Sequence, residues 1–258
     1  MFKKKSLGQH FLTSTHYLSL ITDTAHITPG ERVLEIGPGE GALTHELLSR
    51  GAIVVAIEKD HRLIPVLEEK FQHEIAEGKL QLIENDVLRF DISSHLQGTY
   101  KLVANIPYYI TGAILEKFLS ASLQPTSMTL LVQKEVAERI AREKKESILS
   151  LSVKAYGTPR YIKTVPRGAF SPPPEVDSAI LAIENISRNN FKSAAHEKKF
   201  FDLLHAGFAH KRKLLKRNLE SAVGREYSDI LKNTRIRENA RAEDVSLEQW
   251  LVLVESSL

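Results

Sequence analysis

Residues 32–49 read RVLEIGPGEGALTHELLS. Arg32–Ile36 is a short apolar run of strand-forming residues interrupted only by Glu35, and Ala42–Ser49 places Leu43 and Leu47 at helical spacing. Between them, Gly37, Pro38, Gly39 and Gly41 make a turn that neither element can absorb. Strand, glycine turn and helix in that order open a βαβ unit. Glycines at the junction let a ligand come close to the backbone, and the helix start presents unpaired amides to it.

Outward from this stretch the same alternation continues from about Glu31 to Leu131. Strands are expected at Arg32–Ile36, Ile53–Ile57, Leu80–Glu84, Lys101–Asn105 and Ser127–Gln133. Helices are expected at Ala42–Ser49, about Leu63–Ala76 with Pro65 in its first turn, Gly112–Ser120, Lys134–Arg142 and Ser147–Tyr156. This is the pattern of an α/β fold with a parallel sheet and crossover helices. Tyr161–Val165 and Ser178–Asn185 read as a closing pair of strands, and the proline-stiffened segment from Phe170 between them as an ordered loop. Residues 186–197 are polar, and beyond them the spacing is helical. Phe200, Leu203, Leu204, Gly207 and Phe208 form one stripe, Leu214, Leu215 and Leu219 the next, and Ser246 caps a last helix through Trp250. The boundary is therefore drawn at 188/189, giving an α/β domain of residues 1–188 and a small all-helical domain of residues 189–258.

With 258 residues, 42% of them hydrophobic and 26% charged, the chain can bury a full core. It has no cysteine, which excludes disulfides and thiolate metal sites and fits a reducing compartment. Gln9, His10, Thr13, Ser14, Thr15 and His16 break any apolar core behind the basic start Met1–Lys5, and no stretch approaches the roughly 20 apolar residues of a membrane span. A cytoplasmic protein without a membrane partner is expected. The net charge is only +3, so affinity for a polyanion has to come from a local cluster. Lys211, Arg212, Lys213, Lys216 and Arg217 supply one, and with positions 213, 216 and 217 on one helix face it could follow a phosphate backbone.

Two cofactors compete for the glycine turn. Gly37, Gly39 and Ala42 satisfy the dinucleotide pattern GxGxxG/A, with Glu58 where a ribose-binding acid belongs, 21 residues after Gly37. Three features favour S-adenosylmethionine. Glu35 would repel a pyrophosphate but accept from the cationic methionine end. Asp86, in Glu84–Val87 (ENDV), can accept from an adenine amino group while the amide of Val87 donates to the ring. Finally, Asn105–Tyr108 (NIPY) ends the fourth strand on the same carboxyl edge of the sheet.

NIPY combines a carboxamide, a rigid turn and an aromatic ring, and it resembles the signature of amino-methyltransferases. There the Asn carbonyl and a backbone carbonyl accept from an exocyclic amine while the ring stacks on the base. Together with Ser6–Leu12 (SLGQHFL), Val33–Thr44, Glu58, Asn85–Asp86, Gln133–Ile140 (QKEVAERI), Phe170–Ser178 (FSPPPEVDS) and Phe208–Leu219 (FAHKRKLLKRNL), it makes nearly the whole chain resemble the rRNA adenine N6,N6-dimethyltransferases. The triple proline and the helical tail are similar to the bacterial small-subunit branch more than to the macrolide-resistance enzymes of the large subunit.

The resemblance implies a Rossmann-like methyltransferase sheet that uses S-adenosylmethionine, releases S-adenosylhomocysteine and needs no metal. It implies that Gln9, His10 and Leu12 close over the cofactor and that Gly37, Glu58, Asp86 and Asn105 line its site. Asn105, Pro107 and Tyr108 would hold the adenine, with Phe170 on its other face. The implied partner is the small ribosomal subunit, with two adjacent adenosines in a hairpin near the 3′ end of its rRNA as substrate and the enzyme acting as a monomer. Two positions depart from the family pattern: His10 stands where many relatives have Asn, and Arg142–Ser147 (REKKES) replaces a turn of small residues.

Overall fold

The computed structural model describes residues 10–223 and 234–256. By contacts the chain divides into two compact units, residues 1–137 with 158–186, and residues 138–157 with 187–258.

The first unit is built on a seven-stranded sheet. In chain order its elements are β1 (Phe11–Leu12), α1 (Thr15–Thr24), β2 (Arg32–Ile36), α2 (Ala42–Ser49), β3 (Ile53–Glu58), α3 (Ile64–Lys70), α4 (Gln72–Ala76), β4 (Leu80–Glu84), β5 (Lys101–Asn105), α5 (Thr111–Leu119) and β6 (Ser127–Gln133). Next come α6 (Lys134–Ala141), which crosses into the second unit at residue 138, then β7 (Thr158–Val165), β8 (Phe170–Ser171) and β9 (Ser178–Glu184); α7 (Ile148–Tyr156), between α6 and β7 in the chain, belongs to the second unit. The strand order is β4-β3-β2-β5-β6-β9-β7, parallel from β4 through β6 and antiparallel at β9 and β7. Strand β2 leads to β3 on one side and neighbours β5 on the other, so the direction of winding reverses between β2 and β5. A crevice opens there, outside the carboxyl ends of the strands.

Burial explains the sheet. Val33, Leu34, Val54, Ala56, Leu102, Val103, Ala104, Leu130 and Leu131 are all fully buried, as parallel strands covered on both faces require. Pro65 sits in the first turn of α3, where its missing N–H costs nothing. The long helix expected over 63–76 is broken at Phe71, whose ring is buried against Gly41 at the start of α2. Gly41 has φ +76°, and a Cβ there would lie 2.5 Å from the Phe71 ring.

Two elements had no counterpart in the sequence reading. One is α1. The other is a second sheet of two residues per strand, in which Phe11 and Leu12 of β1 pair antiparallel with Ser171 and Phe170 of β8. The segment expected to be wholly loop thus starts as a strand, ties the N-terminal residues to the rest of the unit, and has a cis peptide at Ser171–Pro172.

The second unit is helical. Its elements are α7, α8 (Ala194–Phe208), α9 (Leu215–Val223) and α10 (Leu247–Glu255). Phe200, Leu203, Leu204, Leu215, Leu219, Trp250 and Leu253 form its core together with Leu151 and Ala155 of α7. Gly207 is required where α8 meets this core, because a Cβ would run into the Trp250 ring and lie 2.8 Å from Leu215 Cδ1. Helix α7 was read as part of the first domain. Its apolar face packs on α8 and α10 instead, so the second unit takes residues 138–157 out of the middle of the α/β sequence. No helix among the described residues is long and apolar enough to cross a membrane.

Candidate active site

The ends of β2, β3, β4 and β5 converge on one pocket of about 190 Å³, lined among others by His10, Phe11, Gly37, Gly39, Glu58, Asp86, Val87, Asn105, Pro107, Tyr108 and Tyr109. Gly37 and Gly39 adopt φ +66° and +61°, the left-handed region that suits glycine, and a Cβ on Gly37 would meet nothing within 4 Å. The turn is therefore open on its ligand side.

Glu58, at the end of β3, is 6% exposed and braces that turn. Its Oε2 accepts from the Gly39 amide at 3.1 Å and its Oε1 from the Asp60 amide at 2.8 Å. Burial pushes its carboxyl above the usual range, and those two amides oppose the shift. Asp86 is held differently. Lys59 Nζ lies 2.8 Å from its Oδ2 and keeps its carboxyl below the ordinary range, while the Leu88 amide donates to Oδ1 at 3.0 Å.

Asn105 is the best-defined group. Its Nδ2 donates to the His10 backbone carbonyl at 3.0 Å, which fixes the amide so that Oδ1 is left as an acceptor. His10 in turn is held by a 3.0 Å contact between its Nδ1 and the Pro172 carbonyl. The Tyr108 ring stacks on the His10 ring with centroids 6.2 Å apart and an interplanar angle of 19°. Its hydroxyl is within 2.5 Å of Ser178 Oγ, and burial raises its pKa. The Pro107 carbonyl accepts from the Ile110 amide at 3.2 Å, closing a 3₁₀ turn over Tyr108–Ile110. A second cavity of about 230 Å³ shares Phe11, Gly37 and Asn105 with the first and is lined by Leu12 and Glu35.

Glu35 is 1% exposed, and among the described residues neither of its oxygens, nor Thr44 Oγ1, has a hydrogen-bond partner. Burial pushes its carboxyl up to about 8, and the nearby charge of Glu58 adds to the shift. A buried carboxyl left without a donor in the central strand has acceptor capacity that a cationic ligand group could use. The open glycine turn and this orphaned acid fit the methionine end of S-adenosylmethionine. They fit a pyrophosphate poorly.

A model of the ribosomal RNA adenine dimethylase family matches residues 1–257. The chain belongs to that family. Similar ribosomal RNA adenine dimethylases include the ribosomal RNA small subunit methyltransferase A of Dehalococcoides mccartyi, 44% identical over 253 residues that make up 96% of this chain and 86% of that protein. The enzyme of the same name from Thermosynechococcus vestitus is 40% identical, with 98% and 96% covered. Among solved structures, the 23S rRNA methyltransferase ErmE is similar with a TM-score of 0.78 at 27% identity, covering 95% of this chain and 98% of that one. A dimethyladenosine transferase from Plasmodium falciparum gives 0.77 at 25%, covering 95% and 96%. The family and the Rossmann-like methyltransferase fold expected from the motifs are thereby established, and with them the enzyme class, rRNA adenine dimethyltransferase.

Of the residues singled out in the sequence, the structure brings His10, Gly37, Gly39, Glu58, Asp86, Val87, Asn105, Pro107 and Tyr108 to one pocket. Leu12 and Glu35 line the adjoining cavity. Gln9 lies outside the described residues. Phe170 is not placed as a clamp. It is 4% exposed and packed into the core, because its pairing with Leu12 in the small sheet turns the ring inward.

The basic cluster also departs from expectation. Lys211–Lys213 lie on the turn after α8, closed by the Lys213 amide on the His210 carbonyl at 3.0 Å, and only Lys216 and Arg217 belong to α9. The shared helix face for 213, 216 and 217 is replaced by a turn followed by a helix start. Tyr109 was overlooked. Its 67% exposure on the pocket rim is invisible in a sequence where Tyr108 and Tyr109 are adjacent and identical.

Proposed function

We propose that this chain transfers methyl groups from S-adenosylmethionine to N6 of two adjacent adenosines in a hairpin near the 3′ end of small-subunit rRNA, in the cytoplasm, during subunit maturation. The observation that carries the reading is the Asn105 amide, pinned through Nδ2 to His10 with Oδ1 free, beside the anchored ring of Tyr108. The small-subunit assignment follows the named relatives, whose identity to this chain exceeds that of the large-subunit enzyme.

The chemistry asked of these residues is modest. An adenine amine is a poor nucleophile because its lone pair is delocalised into the ring. Two acceptors, Asn105 Oδ1 and the Ile106 carbonyl, favour a pyramidal nitrogen and stabilise the positive charge that develops on it. The Pro107 carbonyl already closes its turn, so Ile106 is the better second acceptor. Tyr108 offers an aromatic face for the flipped base, held from behind by His10 and at its hydroxyl by Ser178. When bound, S-adenosylmethionine supplies an electrophilic methyl on sulfur. Glu35, Glu58, Asp86 and the amide of Val87 are the groups that hold it, and Asn105 stands between this site and the base pocket. Holding both reactants in line supplies the rest of the rate.

The helical unit supplies the affinity for rRNA in this reading. Lys211, Arg212, Lys213 and Arg217 are exposed. Arg217 stands in the first turn of α9, where the helix dipole disfavours a cation by about 0.3–1 kcal/mol, so its placement serves an external anion better than the fold, while Lys216 beside it lies 3.9 Å from Glu220.

Transfer of labelled methyl to unmethylated small subunits, large subunits and protein-free rRNA, followed by mass mapping, tests the proposal. Two methyls on one adenine nitrogen of the small subunit are expected. Label confined to large subunits would transfer the assignment to the antibiotic-resistance branch.

A further inference from the structure

The pocket rim carries a feature that holding a single adenine does not use. The large apolar side chains most exposed among the described residues are Ile53, Val66, Leu88, Tyr109, Val176 and Val252, and two of them, Leu88 at 37% and Tyr109 at 67%, line this one pocket. Neither is loosely placed. Tyr109 lies in the middle of the 3₁₀ turn that the Ile110 amide closes on Pro107, and Thr111 Oγ1 donates to the Tyr108 carbonyl at 3.0 Å. The Leu88 amide donates to Asp86 Oδ1, and Lys117 Nζ donates to the Leu88 and Phe90 carbonyls at 3.1 and 2.7 Å.

Consecutive tyrosines on this turn do different things. Tyr108 is anchored inward by His10 and Ser178, whereas Tyr109 stands out toward solvent. One cation lines the rim, the Lys59 side chain, 60% exposed and fixed by Asp86, and the exposed Arg89 is near enough to act electrostatically on both. An aromatic face and an apolar step beside fixed positive charge have the composition of a single-strand nucleic-acid platform.

We propose that Tyr109, backed by Leu88, stacks the nucleobase next to the adenosine being methylated. This rests on the reading that the pocket takes a flipped adenine from a polynucleotide. A base drawn out of its helix pulls its neighbours over the rim and unstacks at least one of them. An aromatic ring at the exit replaces the lost stacking partner, and Lys59 and Arg89 meet the phosphodiester between the two nucleotides. Because every base has a π face, the step holds the strand without reading its sequence.

The test pairs protein and RNA changes. Small subunits are reconstituted with rRNA that is intact, or abasic on the 5′ or the 3′ side of the target adenosine, and methylated by wild-type enzyme, Tyr109→Ala and Tyr109→Phe. On intact subunits Tyr109→Ala is expected to lose about tenfold in kcat/KM, the loss of one stacking contact, and Tyr109→Phe to recover most of it. On subunits abasic at one flank, the wild-type enzyme should lose a similar factor and Tyr109→Ala should lose no more. The affinity for S-adenosylhomocysteine should be the same in all three proteins. Losses that multiply at both flanks, or an undiminished Tyr109→Ala, overturn the stacking step and leave the rim to a protein partner. Absence of methylation by wild-type enzyme would instead remove the reading on which it rests.

Discussion

Asn105 and Glu35 show how single residues divide the work. The Asn105 amide is useful because one end is occupied: with Nδ2 committed to His10, the oxygen has one direction in which to accept. Asn105→Ala should therefore lower kcat by about 10²–10³-fold, the scale of losing one preorganised acceptor, while rRNA binding in a filter assay stays unchanged. Glu35 is costly to the fold. When folded, its carboxyl holds a proton up to a pH of about 8, against an ordinary 4.5, so folding takes up a proton between those values. Its contribution to stability is complete below 4.5 and is lost as pH rises through 8. Glu35→Gln should then be more stable than wild type in urea titrations at pH 8 but not at pH 5. The same variant should bind S-adenosylhomocysteine more weakly, since it cannot release a proton to form the carboxylate that a bound cationic group would favour. Equal urea midpoints at both pH values would contradict the assignment.

At the scale of elements, the glycine turn shows two ways of needing glycine. Gly37 faces open space, and Gly39 faces the Phe11 ring, 2.7 Å from where its Cβ would be. Gly37→Ala costs only the backbone strain of a positive φ, whereas Gly39→Ala must also move the Phe11 ring. The second variant should lose about 1–3 kcal/mol more in thermal or urea unfolding. The central strands were legible because β2, β3, β4, β5 and β6 are dense apolar runs that no helix of that length would match. Helix α1 was not, because Thr15, His16, Ser19, Thr22, Asp23 and Thr24 dilute its apolar period with residues that prefer caps and turns. The small sheet was illegible for another reason. Two-residue strands carry no period, and their partners are more than 150 residues apart. Phe170 followed from that gap: without β8 its ring could be read as core or as clamp.

For the whole molecule, the net charge of +3 hides an uneven distribution, with five cations between Lys211 and Arg217. Replacing Lys213, Lys216 and Arg217 with neutral residues should reduce the slope of log affinity for rRNA against log salt by about 2, three lost phosphate contacts at somewhat under one ion each. Methyl transfer should persist at low salt. An unchanged slope would make the cluster a merely solvated surface. The residues expected at the cofactor and base sites line one pocket where they sit at strand ends, since topology alone brings those ends together. The helical unit offered no such rule. Its membership was decided by which face of α7 is apolar and by what that face meets.

The excursion of residues 138–157 into the helical unit means the backbone passes between the two units three times, not once. Modular exchange by a single splice near position 187 would therefore strand Leu151 and Ala155 without the side chains that cover them. Descendants of this enzyme that acquire a new tail must keep α7 matched to it. Its residues belong to the helical unit while lying, in the gene, inside the α/β sequence.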